Sequence, residues 1–340
     1  MVIRKGLLKD LLQIESVSGK EELMYDIILK ELAKLGFTAI IDDVGNISAT
    51  RGKSSSYPLL NAHMDIVDLS YDNYFFANSF DKPLTEDIEF DILRDMLFEI
   101  RTYHDIDTRN PLDFFNNESL KYYVMYICEE NGFDFEDSYQ QYLDMYEVDE
   151  NSMYDLELEY QMINESIINE PYEIIEENNI LKGVGKNRVL GGDDKCGIFI
   201  ALEIARILKD KPLKILFTVQ EENGCVGISH FIKTNLKWFK DVIFSITIDR
   251  RENDNLLPSQ LGTRSCVDSF TDKLITSARS VGIEPKIMDG NVADVIYIRD
   301  VVPNSVNMSA GYFDAHTSKE YVDINGVQGV IKWLCKFLKE

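Results

Sequence analysis

Cysteine and histidine are scarce in this chain, and basic residues nearly vanish from one long internal stretch. The five cysteines (Cys128, Cys196, Cys225, Cys266, Cys335) are odd in number, scattered and without CxxC spacing. That pattern argues against a disulfide framework and against zinc held by cysteine, and it fits buried thiols in a reducing cytoplasm. No run approaches the roughly 18 consecutive apolar residues of a membrane span. The opening Met1-Val2-Ile3-Arg4-Lys5-Gly6 leads into an amphipathic helix pattern rather than a signal peptide.

The shortage of positive charge is local. The net charge is −24, and residues 69–180 carry 29 acids against 5 bases, while the rest of the chain is neutral. Such a block repels a phosphate backbone, so nucleic acid is a poor partner.

What is present outside that block reads as α/β. Residues 3–15 and 20–35 carry apolar residues at helical spacing (Leu7, Leu8, Leu11, Leu12; Leu23, Ile27, Ile28, Leu32, Leu35), with Gly36 as a stop. Strands are expected at 38–42, 46–50 and 57–62. After the block, the pattern predicts a helix from Asp194 to Leu208, strands at 213–219 and 242–248, and a helix over 268–281. A strand over 305–312 and a final amphipathic helix over 325–339 follow. Alternating strands and helices imply a mixed, mostly parallel sheet sandwiched by helices. Within the acidic block, Phe90, Leu93, Met96, Leu97 and Ile100, then Leu120, Tyr123, Val124, Ile127 and Cys128, also repeat at helical spacing. The expected organisation is therefore a discontinuous catalytic domain, 1–68 and 181–340, with 69–180 as an inserted acidic helical subdomain.

Two of the four histidines fall in contexts rich in carboxylates. His63 ends a buried strand in Asn61-Ala62-His63-Met64-Asp65. Asp193 and Asp194 follow Gly191-Gly192 at a helix start, where acids also suit the helix dipole. Glu221 and Glu222 follow the strand Phe217-Thr218-Val219, and adjacent carboxylates there face different directions. One can coordinate a cation while its neighbour takes a proton from activated water. Asp249 ends the strand Thr247-Ile248, and His316 sits in Ala315-His316-Thr317-Ser318-Lys319-Glu320. Taken singly, each has a plainer reading: a hydrogen-bonded core histidine, solvated acids, a turn-initiating Asp, a surface histidine. His104 and His230 lie outside such contexts and read as structural.

The order His, Asp, Glu-Glu, Asp, His resembles the co-catalytic zinc peptidases of the M20, M28 and M42 families. The likeness is carried by Asn61 to Asp65, Leu190 to Gly197, Phe217 to Gly224 and Gly311 to Tyr321, and spans roughly residues 1–68 and 181–340. It implies two divalent metal ions, Zn²⁺ with Mn²⁺ or Co²⁺ as substitutes, bridged by Asp193. It further implies His63 and Asp249 on one ion, Glu222 and His316 on the other, Glu221 as general base, and Asp65 supporting His63. A cis peptide between Asp193 and Asp194 is part of the same likeness.

The chain departs from the M20 and M42 patterns. Only 66 residues separate Asp249 from His316, too few for the M20 lid. The insertion before Asp193 matches M42 in position, yet it reads as helical where the M42 insert is a small β-barrel. The expected function is metal-dependent hydrolysis of a peptide or small amide, foremost as an aminopeptidase, with no nucleic acid or membrane partner. An amidohydrolase or deacylase using the same site is the alternative, with Asn291-Val292-Ala293-Asp294 as a pocket loop or a plain turn. A non-catalytic protein recruiting a basic partner through the acidic block is a third reading. The oligomeric state is not encoded in any of these motifs.

Overall fold

The structure, a computed structural model, describes residues 2–68, 172–185 and 188–339. In chain order the elements are α1 (Lys5–Gln13), α2 (Glu22–Lys34), β1 (Thr38–Ile41), β2 (Ile47–Arg51), β3 (Tyr57–His63), β4 (Tyr172–Glu177) and β5 (Ile180–Gly185). Then come α3 (Gly192–Ile207), β6 (Leu213–Thr218), α4 (Val226–Asn235), β7 (Val242–Thr247), β8 (Asn255–Gln260), β9 (Thr263–Arg264) and α5 (Asp268–Ser280). The chain closes with β10 (Lys286–Gly290), α6 (Val295–Ile298), β11 (Ser305–Met308), β12 (Tyr312–Phe313), β13 (Tyr321–Asp323) and α7 (Ile324–Phe337).

The main sheet runs β1-β2-β6-β3-β7-β11-β8-β10, with β9 attached to β8. Its centre, β6-β3-β7-β11, is parallel. Antiparallel pairs flank it, β1 on β2 and β2 on β6 at one side, β11 on β8 at the other. The central strands β3, β6 and β11 are buried along most of their length, which explains why apolar residues occupy consecutive positions such as Leu59-Leu60 and Ile215-Leu216-Phe217. Neighbouring residues of β3 serve opposite layers: Leu60 joins Ile215 and Phe217 beneath α1, α3 and α7, whereas Leu59 joins Leu216, Ile228 and Phe231 beneath α4 and α6. Each such side chain contributes about 1.5–3 kcal/mol of apolar burial. This is the helix-sandwiched, mixed sheet that the sequence pattern implies.

A second, antiparallel sheet, β12-β13-β5-β4, was not foreseen. It takes the expected strand over 305–312 apart: Ser305–Met308 lies in the main sheet, while Tyr312 pairs with Val322 in the small one. It also trims the expected insertion. Residues 172–177 form a strand against β5 rather than a helix, because Tyr172-Glu173-Ile174-Ile175 offers β-branched residues to a hairpin closed at Asn178-Asn179, both at positive φ. The remainder of the expected helical subdomain, and His104 with it, lies outside the described residues. Among the described residues, no helix is long and apolar enough to cross a membrane.

Two features hold the layers in register, one beside the site and one away from it. A Cβ on Gly197 would lie 2.2 Å from the Ile248 carbonyl and 2.5 Å from the Asp194 carboxylate, so only glycine lets α3 approach the end of β7. At the far end of α3, the buried Arg51 guanidinium donates to the carbonyls of Ala205 (2.7 Å) and Leu208 (2.7 Å), which the helix leaves without intrahelical partners.

Candidate metal centre

β3, β6 and β7 are parallel neighbours, so their C-terminal ends meet at one edge of the sheet. Open α/β sheets place ligands there. His63 ends β3, Glu221 and Glu222 follow β6, and Asp249 follows β7. Asp193 and Asp194 enter from the start of α3, where both residues have non-helical backbone angles and the bond between them is cis. His316 comes from the connection between β12 and β13, with φ +64°.

The seven residues singled out in the sequence therefore converge. His63 Nε2 lies 3.1 Å from Asp193 Oδ1, 3.6 Å from Asp249 Oδ1 and 4.0 Å from Glu221 Oε2. His316 Nε2 lies 3.3 Å from Asp193 Oδ2 and 3.0 Å from Glu222 Oε1. Asp193 thus presents one oxygen to each imidazole. His63 Nδ1 faces the Asp65 carbonyl at 3.1 Å and its carboxylate at 3.4 Å. An Nδ1–H donated there leaves the Nε2 lone pair directed at the cluster.

Asp65 does more than flank His63. Its Oδ1 accepts the Glu221 amide (3.0 Å), and its Oδ2 accepts the Glu222 amide (3.1 Å) and the Ser18 hydroxyl (2.7 Å). It ties the β6 loop to the end of β3. Asp194 is spent on the scaffold: its oxygens accept the amides of His63 (3.3 Å) and Gly197 (3.0 Å).

Charge in the cluster is badly out of balance. Burial pushes the carboxyls of Glu221, Glu222 and Asp249 up, and repulsion among the acids adds to this. Burial would also raise Asp193, but the two imidazoles outweigh it and hold that carboxyl well below its usual range. Burial disfavours the imidazolium of His316, yet Asp193 and Glu222 push it up to about 11. His63 is likewise driven up, against its burial, chiefly by Asp193 and Asp249. Two imidazoles do not neutralise so many buried carboxylates, and divalent cations would.

The donor set fits such ions. Asp193, Glu222 and His316 offer ligand atoms within 4.8 Å of one another, as do His63, Glu221 and Glu222, and Asp249 Oδ1 lies 3.6 Å from His63 Nε2. Buried Glu222 Oε1 accepts no aligned hydrogen bond, although His316 Nε2 is 3.0 Å away. Two such atoms in contact are placed as ligands of a common ion would be. Carboxylates with imidazoles suit Zn²⁺ and its first-row neighbours.

Several supporting residues escaped the sequence reading. Buried Glu320 accepts the amides of Gly191 (2.7 Å) and Asp193 (2.9 Å), fixing the backbone that carries Asp193. Its position in the His316 motif was the available signal. Tyr312 donates to Asp249 Oδ1 at 3.2 Å. Asp294, weighed as part of a pocket loop, is buried behind the cluster, where it accepts from Asn61 Nδ2 (3.1 Å) and Thr218 Oγ1 (2.5 Å). Nothing in the local sequence marks that pairing, which spans 233 and 76 residues. His230 is apart from the site and contacts Asp43 at 2.9 Å.

The fold is shared with known peptidases. The chain resembles the aminopeptidase PepT of Bacillus cereus at a TM-score of 0.61 and 11% identity, covering 99% of this chain and 98% of that one. It resembles a tripeptidase of Staphylococcus aureus at 0.58 and 12% identity (98% and 96% covered). The TET1 peptidase of Pyrococcus horikoshii matches at 0.56 and 16% identity (98% of each). At these identities the likeness establishes a shared fold. No curated protein matches the chain. The sequence profile of peptidase family M20/M25/M40 matches residues 161–340, more than half the chain. The chain is therefore a member of peptidase family M20/M25/M40, a metal-dependent hydrolase of peptides.

Proposed function

We propose that this peptidase is an exopeptidase acting at free amino termini, working through two divalent ions with Glu221 as general base. The observation that carries this reading is the Asp193 carboxylate, with one oxygen 3.1 Å from His63 and the other 3.3 Å from His316. In this arrangement His63 and Asp249 would hold one ion, Glu222 and His316 the other, and Asp193 would bridge them. Ions so held, zinc foremost, would supply Lewis acidity to polarise the scissile carbonyl and to lower the pKa of the attacking water.

The chain supplies the rest. Asp65 fixes His63 through Nδ1 and the Glu221 amide through Oδ1, so base and ligand keep a set spacing. Glu221 Oε2 faces the centre and accepts the proton that water loses on attack. The same carboxyl then delivers that proton to the departing amine as the C–N bond breaks. The preference for a substrate ammonium over a carboxylate is motivated by the acidic block alone, residues 69–180, with 29 acids against 5 bases.

The test is metal analysis combined with a panel of free and N-acylated di- and tripeptides. Glu221→Gln should retain both ions and lose turnover. Equal cleavage of N-acylated peptides would move the assignment to a deacylase or another peptidase on the same site.

A further inference from the structure

Glu221 is held at three points, and one of them is a thiol. Its amide is bound by Asp65, and its carbonyl accepts the amides of Gly224 (3.0 Å) and Cys225 (2.8 Å). Its Oε1 lies 3.6 Å from Cys225 Sγ, in reach of a thiol hydrogen bond. Cys225 is wholly buried and sits in the left-handed region at φ +60°, just before α4. Around it are Leu59, Leu216, Ile228 and Phe231, none of which can accept a proton. Burial, reinforced by Glu221, pushes the thiol far up, so it stays protonated and remains a donor.

We propose that Cys225 is a positioning residue for the general base: its S–H holds Glu221 Oε1 and thereby turns Oε2 toward the metal centre. Oε2 is the oxygen that approaches His63 Nε2, at 4.0 Å. A carboxylate with one oxygen anchored away from the centre loses its freedom to swing both oxygens onto an ion. The inference rests on the reading of Glu221 as the base.

The experiment uses the full chain, metal-loaded, with Cys225→Ala, Cys225→Ser and Glu221→Gln beside the unaltered protein. Ala and Ser bear the same backbone strain at φ +60°, so only the donor distinguishes them. With tri-alanine as probe, Cys225→Ala is expected to lower kcat about 5-fold with KM changed less than about 2-fold, as loss of one modest hydrogen bond to the base implies. Cys225→Ser should restore kcat to within about 2-fold of the parent. Infrared difference spectra against Cys225→Ala give a readout that needs no turnover. The Cys225 S–H stretch should lie below the free-thiol position and move when Glu221 becomes Gln.

A Ser variant as impaired as Ala, an Ala variant at the parent rate, or an S–H band at the free-thiol position that ignores Glu221→Gln would overturn the proposal. Full turnover in Glu221→Gln would instead remove the base assignment, and the band would still report whether the contact exists. If the Ala variant does not fold, the parent and Glu221→Gln spectra decide alone.

Discussion

Asp65 Oδ1 accepts the backbone N–H of Glu221 at 3.0 Å, so the residue two places after His63 also sets the position of the residue assigned as base. The second oxygen serves Glu222 in the same way, at 3.1 Å. Both oxygens of one buried carboxylate are thus committed to adjacent amides of the β6 loop. Asp65→Asn replaces one acceptor by an NH₂ group that faces an N–H. This should cost about 1–3 kcal/mol of stability and about 10–100-fold in turnover. Thermal denaturation and peptide hydrolysis, measured on the same preparation, check both; an unchanged rate would mean that the loop does not need this clamp.

Asp294 predicts a pH effect. Burial raises its carboxyl to about 6, against the opposing hydrogen bonds from Thr218 and Asn61. A folded-state value above the unfolded one means that, between about pH 4 and 6, the folded chain keeps a proton the unfolded chain has lost. Its contribution to stability is fully present below that window and is lost as pH rises through it. Asp294→Asn removes the titration. In metal-free protein the variant should therefore gain on the parent by up to about 3 kcal/mol between those limits, read by urea denaturation at fixed pH. A difference independent of pH would contradict the assignment.

Arg51 separates fold from site. Its guanidinium donates to four backbone carbonyls, those of Leu35, Ala205, Leu208 and Lys211, and stacks on Phe37 at 4.7 Å. Arg51→Met removes the donor from the buried Ala205 carbonyl and one partner from that of Leu208, which keeps the Lys211 amide, and should cost about 3 kcal/mol. Metal content should stay that of the parent, since no residue of the site touches it. Denaturant unfolding and elemental analysis test the two halves.

His316 is the ligand candidate most open to solvent, on a loop rather than a strand end. His316→Ala should lower the metal content from two ions to one while the melting temperature of the metal-free chain barely moves. Turnover should fall by about 100-fold or more, because one ion cannot do the work of both. Calorimetric titration with Zn²⁺ gives the stoichiometry.

The site was legible because its residues sit in short local motifs at strand ends. His63, Glu221, Glu222 and Asp249 each terminate an apolar run that declares a buried strand. What supports them was not legible. Glu320 acts through backbone amides 127 and 129 residues away, and Asp294, just before α6, through side chains on β3 and β6. In the fold, β8 was hidden by Pro258, which cannot donate to a ladder. The pairing accommodates it with a shift of register between Ile287 and Asp289 on β10, opposite Leu256 and Ser259. Half of the small sheet was hidden by length: β12 and β13 are two and three residues, too short to show a period.

The most direct measurement is titration of the metal-free chain with Zn²⁺ while hydrolysis of an unblocked tripeptide is followed, for the parent, Asp193→Asn and Glu221→Gln. The parent should bind two ions and gain activity only as they bind, Glu221→Gln should bind two and stay inactive, and Asp193→Asn should lose the paired binding. Full hydrolysis by the metal-free chain, or two ions bound as tightly without the Asp193 carboxylate, would contradict the account.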